Sequence, residues 1–323
     1  MRVLPLTSAL LAAACLSLAL SAPAHAQSYP SNTIRIVVGF GPGSTADTLA
    51  RLVGKHMETK FGQPVLVENR PGNSSMLAAE AVARAPNDGY TLFMATVANT
   101  LNPVQTKSGF NLGTMAPIAL LGVVPNMLVA HPSVSVASLK ELVTLAKTKP
   151  DSLTFGTSGS GTASHLAAEL FNVKAGTKVL AVHYQGGSNQ ALTDLLSGRI
   201  TLMFNVAATL APHVKADKLK ALAMAQPRRA SLMPDLPTMD EAGMPGFDVG
   251  IWIGLLAPAN TPADIVDKLS LAANEALKTD IVFKALGTQG IDALGGTPKE
   301  FADFIRVDLE KWTSVLDATG LKK

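Results

Sequence analysis

The residues best suited to meet a ligand fall in two glycine-rich runs, Gly39-Phe40-Gly41-Pro42-Gly43-Ser44-Thr45-Ala46-Asp47 and Gly156-Thr157-Ser158-Gly159-Ser160-Gly161-Thr162-Ala163-Ser164-His165. Each follows a short strand-like run and leads into a segment with helical spacing, so each is expected to be a strand-to-helix turn with free N–H groups at the helix start. Such a start carries about half a positive charge. Glycine lets a ligand approach the backbone closely, and small hydroxyls add donors. Two starts from facing lobes would hold an anion without any arginine, and on this reading Gly43 and Gly159 tolerate no side chain. Spacing alone suits plain tight turns and helix caps equally well; Ser44 and Asp47 are spaced as a capping pair.

Other chemistries fit these runs less well. A nucleotide P-loop needs a lysine after its last glycine, and neither run has one. The strict dinucleotide fingerprint is absent, although Gly41-x-Gly43-x-x-Ala46 matches its looser form. A hydrolase elbow needs Gly-x-Ser-x-Gly, whereas Gly156-Thr157-Ser158-Gly159-Ser160 ends in serine. Ser158 with His165 has a spacing open to a nucleophile and its base, which makes a secreted serine hydrolase the alternative, but nothing marks an acidic partner. His56, His131, His165, His183 and His213 are isolated in sequence, so neither a metal site nor a cofactor is expected.

Three residues read two ways. Asp47, a first-turn carboxylate, favours the helix dipole by about 0.3–1 kcal/mol with no ligand needed; beside an anion it would repel, so contact implies an ammonium, a hydroxyl or a bridging water. His165, one turn inside its helix, is either a structural hydrogen-bonding group or a ligand contact. Trp252 is either hinge packing or pocket wall.

These turns need elements to hold them. Strands are expected at 34–38, 65–68, 91–95, 127–130, 153–155, 179–183, 200–204, 219–223 and 250–258. Helices are expected at 45–61, 74–85, 138–149, 162–173, 190–196, 261–278 and 298–319, the third opened by a Ser138-x-x-Glu141 capping box. Short strands alternating with helices give an α/β fold with largely parallel sheets. The last helices lack a sheet of their own, so the chain should return to its first lobe, crossing between lobes near 118–127 and 246–256. Two crossings make a hinge, and a hinge between lobes suggests closure on a ligand. The boundaries are drawn as 27–122 with 252–323 for one lobe and 123–251 for the other. Tyr184-Gln185-Gly186-Gly187 forms a third turn directed at the cleft.

Met1-Arg2, the apolar run from Ala9 to Leu20 and Ala24-His25-Ala26 read as a secretory leader, residues 1–26. Cys15, the only cysteine, lies inside it, so the mature chain is expected to lack disulfides and thiolate metal sites. The remainder is long enough for two domains. Without Arg2 the basic and acidic side chains nearly balance, and aromatics make up only 5%. Neither feature favours nucleic acid, an anionic membrane or a stacking platform.

Ile34-Arg35-Ile36-Val37-Val38 followed by Phe40, Pro42-Gly43 and Asp47 resembles the opening motif of the Bug or TctC-like receptors of tripartite tricarboxylate transporters. The likeness continues through Val67-Glu68-Asn69-Arg70-Pro71-Gly72, Asp88-Gly89-Tyr90-Thr91-Leu92, Ser158-Gly159-Ser160-Gly161, Tyr184-Gln185-Gly186, Leu236-Pro237-Thr238 and Gly254-Leu255-Leu256-Ala257-Pro258, over essentially the whole mature chain. The resemblance implies a periplasmic, monomeric, two-lobed binding protein of the type II-like fold, without catalysis. It would hold a small carboxylate by backbone groups and ordered waters and pass it to permease subunits, or, in an alternative output, signal to a sensor kinase. The implied contacts are Phe40, Gly43, Ser44 and Asp47 from one lobe and Ser158, Gly159, Ser160, Thr162 and His165 from the other, with Thr96, Tyr184, Gly186 and Asn205 completing the wall. Ser44 stands where the family commonly has glycine and Asn205 where an aspartate is common. One change adds a donor and the other removes a charge, so a more anionic or differently shaped ligand is expected.

Overall fold

The computed structural model describes residues 29–101, 110–160, 162–184, 187–288 and 290–319. The expected leader with Cys15, and the site candidates Gly161, Gln185 and Gly186, lie outside the described residues.

The first sheet collects β1 (Ile34–Val38), β2 (Val65–Asn69), β3 (Thr91–Thr96), β4 (Ala116–Val124), β10 (Ile251–Ala257) and β11 (Asp292–Ala293) in the order β11-β4-β10-β3-β1-β2. The second orders β5 (Asn126–Ala130), β6 (Thr154–Thr157), β7 (Leu180–His183), β8 (Leu202–Val206) and β9 (Lys220–Met224) as β7-β6-β8-β5-β9. Around the first pack α1 (Thr45–Phe61), α2 (Met76–Ala83), α7 (Ala263–Leu277), α8 (Asp280–Thr288) and α9 (Pro298–Thr319). Around the second pack α3 (Leu139–Thr148), α4 (Ala163–Ala175), α5 (Gly187–Leu196) and α6 (Ala207–Lys215). β3 is buried along its whole length and β1 everywhere but at Arg35, as strands covered on both faces are.

A local signal sets the start of α3. Ser138 Oγ accepts the Glu141 N–H at 3.2 Å, and Glu141 reaches back to the Ala137 N–H at 2.8 Å. Four segments depart from the sequence-based expectation. Residues 116–124 form a strand, so the first crossing shrinks to the peptide around Pro125; antiparallel pairing with β10 captures this segment. Helices α6 and α8 were not foreseen, and Pro212 lies inside α6. Helix α2 begins at Met76 rather than 74, because Asn73, Ser74 and Ser75 all have positive φ and cannot continue a right-handed helix.

The C-terminal helix does return to the first sheet. Phe301, Ile305, Trp312, Val315 and Leu316 of α9 are buried, each removal from water worth about 1.5–3 kcal/mol. Asp308, only 3% exposed, accepts from Trp252 Nε1 at 2.9 Å and Thr100 Oγ1 at 2.8 Å and pairs with Lys311 at 2.7 Å. One carboxylate thus joins α9, β10 and the helical turn after β3.

Strand directions decide where the glycine turns lie. β4 runs parallel to β1 through two antiparallel pairings, so the chain leaves the first sheet at the carboxyl edge of β1. β5 is antiparallel to β8, itself parallel to β6, so the chain enters the second sheet at the carboxyl edge of β6. The return by β9 and β10 obeys the same geometry. Both carboxyl edges therefore border the two crossings, where open α/β sheets collect their ligands.

Candidate functional site

The first turn is built by Asp47. Ser44, in extended conformation, caps α1 by accepting the Asp47 N–H at 3.3 Å. The Asp47 carboxylate in return accepts the Gly43 N–H at 2.9 Å, Arg51 Nε and Nη2 at 3.1 and 2.9 Å, and Asn69 Nδ2 at 2.8 Å. Asn69, at the end of β2, also donates to the Phe40 carbonyl at 2.9 Å, tying the turn to the neighbouring strand. Burial pushes the Asp47 pKa up, but hydrogen bonds from Arg51, Gly43 and Asn69 outweigh it and hold the acid below the usual carboxylate range. The Gly43 N–H and the whole Asp47 carboxylate are spent inside the loop. What the loop offers outward is the Thr45 and Ala46 N–H groups, which have no acceptor among the described residues, and the Ser44 hydroxyl proton.

The second turn is built by Ser164. Its Oγ accepts the Ser158 N–H at 2.9 Å and lies 3.0 Å from Ser158 Oγ and 3.2 Å from Thr162 Oγ1. Thr162 Oγ1 donates to the Gly159 carbonyl at 2.7 Å, and Gly159 N–H reaches Thr157 Oγ1 at 3.4 Å. Thr162 stands at the cap of α4 without a side-chain cap bond. The Ala163 and Ser164 N–H groups have no acceptor among the described residues, and Ser160 is exposed. A Cβ at Gly43 would meet nothing within 4 Å and one at Gly159 only Thr162 Cγ2 at 3.6 Å. Their φ of 81° and 131°, rather than crowding, is what excludes a side chain in this state.

Beneath this turn His165, 4% exposed, sets its ring edge against His183 at 4.4 Å between centroids, with Glu169 3.6 Å from its Nε2. His183 Nδ1 meets Thr157 Oγ1 at 2.8 Å, and burial, then the neighbouring His165, lowers its pKa. Thr96 ends β3 with its hydroxyl accepting the Ala98 N–H and its N–H given to Asn99 Oδ1. Asn205, at the carboxyl end of β8, turns Oδ1 to the Val206 N–H at 2.9 Å. The Tyr184 hydroxyl donates to Asp194 at 2.9 Å, on the lobe-two helix α5.

Phe40, Gly43, Ser44, Asp47 and Thr96 thus stand together on one carboxyl edge, and Ser158, Gly159, Ser160, Thr162, His165 and Asn205 on the other. The reading of residues missed Ser164, Asn69, Thr157 and His183 as organisers. Ser164 was visible inside the second run; Asn69 and His183 act through contacts distant in sequence. Among the described residues no group of three or more His, Cys, Asp or Glu could hold a metal ion, and no helix is long and apolar enough to cross a membrane.

Two α/β lobes joined by paired crossings, with a helix start from each lobe on the edge that borders them, define a two-lobed solute-binding receptor. Solved structures agree: R. palustris Rpa4515 with adipate is 32% identical, with 90% of this chain and 98% of that one covered at a TM-score of 0.68. MatC from Rhodopseudomonas palustris with bound malate is 31% identical, covering 89% and 100% at 0.65. A Polaromonas TctC solute-binding protein without ligand, 24% identical, shares the fold at 0.85, covering 90% and 100%. The family model described as tripartite tricarboxylate transporter family receptor matches residues 49–321, and the chain belongs to that family. Protein BugT of Bordetella pertussis is 32% identical over 307 residues, 94% of each chain. These are periplasmic binding proteins rather than enzymes, which removes the hydrolase alternative at Ser158 and His165.

Proposed function

We propose that this receptor captures a small carboxylate, most naturally a dicarboxylate, between its two glycine turns and delivers it to the membrane subunits of a tripartite transporter. The observation that carries the reading is the pair of helix starts on facing carboxyl edges, each with unspent N–H groups and small hydroxyls. The relatives solved with adipate and malate add support. Residues 27–122 with 252–323 would move as one lobe and 123–251 as the other, and residues 1–26 would direct export to the periplasm. The receptor would act as a monomer.

The energetics are adequate. Micromolar affinity corresponds to about −8 kcal/mol. Each hydrogen bond to a charged group contributes about 1.5–3 kcal/mol, so the N–H groups of Thr45, Ala46, Ala163 and Ser164 with the Ser44 and Ser160 hydroxyls suffice after ordering costs. Asp47 does not oppose the anion, because Arg51 already balances its charge.

A thermal-shift screen of ligand-stripped protein against malate, adipate, succinate and citrate tests the reading, since a ligand that binds only the native state raises the melting temperature. At least one carboxylate should stabilise the protein and bind one to one in calorimetry. If none does while the protein remains folded, the proposal fails.

A further inference from the structure

A cavity of about 660 Å³ lies across the hinge strands from the glycine turns, within the size range of small-molecule sites. Its walls come from both sides of the hinge. Gln226 and Arg228 follow β9 of the second sheet, Gly250 leads into β10, and Trp252, Phe301 and Asp292 belong to the first sheet and its helix. β9 is the edge strand farthest from β7, and β11 the edge farthest from β2, so the cavity sits behind the hinge rather than in the cleft.

Its polar groups are mostly acceptors. Gln226 is 2% exposed; its Nε2 donates to the Arg228 carbonyl at 3.0 Å, which leaves Oε1 buried with no partner. Both acceptors border Gly250, where a Cβ would meet Val123 Cγ2 at 2.6 Å, Asp248 Oδ1 at 3.4 Å and Gln226 Oε1 at 3.6 Å. Asp248 Oδ1 takes only the Gly250 N–H, at 3.1 Å, and Asp292 adds another carboxylate. Glu300 is occupied by the Thr297 cap. Of the two arginines in the wall, Arg229 is paired with Glu241 at 2.9 Å, which leaves Arg228 in the wall and Lys311, whose Nζ donates to the Asp248 carbonyl at 2.7 Å, as opposing charges.

Burial raises the Asp248 carboxyl above its ordinary range, against the pull of Lys311. Trp252 meets Phe301 and Phe304 edge to face at 5.8 and 5.9 Å; the first two are each 1% exposed, so half-buried Phe304 is the ring of the three that fronts the cavity.

We propose that this rear cavity is a second small-molecule site, for an organic ammonium whose N–H groups meet Gln226 Oε1 and Asp248 while its apolar part lies on Phe304. Because both lobes line the cavity, its occupant resists lobe rotation and changes carboxylate affinity by coupling; that coupling rests on the receptor reading above, whereas the site itself does not.

The test is calorimetry of the mature chain with phenethylammonium chloride near neutral pH. One-to-one binding at about 1 mM or tighter is expected, with 2-phenylethanol, of the same shape but uncharged, at least about tenfold weaker. Ser231→Trp, at an exposed position of the cavity wall, should abolish ammonium binding and leave the fold and the front cleft intact. No binding of phenethylammonium, equal binding of the alcohol, or binding unchanged in S231W overturns the site. Carboxylate affinity unmoved by saturating phenethylammonium overturns the coupling alone, and a protein that takes the ammonium but no carboxylate overturns the receptor reading instead.

Discussion

Replacing Asp47 with alanine separates the organiser of the first turn from the ligand contact it resembles in sequence. The substitution removes an acceptor shared by Gly43, Arg51 and Asn69. Arg51 is half exposed and turns to water, so its pair contributes only about 0.2–1 kcal/mol. The bonds from the Gly43 N–H and Asn69 Nδ2 are charge-assisted, worth about 1.5–3 kcal/mol each before water replaces part of them. The helix dipole adds about 0.3–1 kcal/mol. The total expected loss is about 2–4 kcal/mol, read as a lower urea midpoint at unchanged slope.

The same change frees residues 40–44, so carboxylate affinity should fall about tenfold, or about 1.4 kcal/mol. The pH arm has a definite sign. Asp47 titrates below its unfolded value, so its contribution is complete above the unfolded pKa of about 3.9 and disappears as pH falls through the lower folded value. The stability gap between wild type and D47A should be flat above about pH 5, begin to shrink near pH 4, and close only as pH falls through the lowered folded value. A tighter carboxylate complex in D47A would refute the reasoning, because it would mean that the Asp47 charge repels ligand despite Arg51. An unchanged urea midpoint would refute the structural part.

Ser164→Ala should remove the acceptor that shapes Ser158 and Thr162, weakening carboxylate binding several-fold in calorimetry while costing about 1 kcal/mol of stability or less. Asp308→Ala leaves Lys311 and the Trp252 and Thr100 donors without their buried acceptor, and should cost about 3–5 kcal/mol in denaturant unfolding. Gly254→Ala places a Cβ 2.2 Å from Phe301 Cζ, and the displaced ring of α9 should lower stability by about 1–3 kcal/mol, visible as a reduced melting temperature.

What the chain determined by itself was whatever needs only neighbours three or four residues away. The Ser44–Asp47 and Ser138–Glu141 caps, the helix spacing of 45–61 and 298–319, and the glycine turns after β1 and β6 are local, and their physics is written in adjacent side chains. The motif order also carried the family and with it the two-lobed class. Tertiary structure decided the rest. Residues 116–124 are a strand because β10 lies beside them, not because their own pattern demands it. Asp47 is withdrawn from the cleft because Asn69, brought alongside by β1–β2 pairing, and Arg51 occupy its oxygens. His165 meets His183 edge to face, and Trp252 and Thr100 meet Asp308, only when separate elements dock. A hydrogen bond or a packed ring between residues distant in sequence has no local signature, since its partner is chosen by sheet register and helix docking.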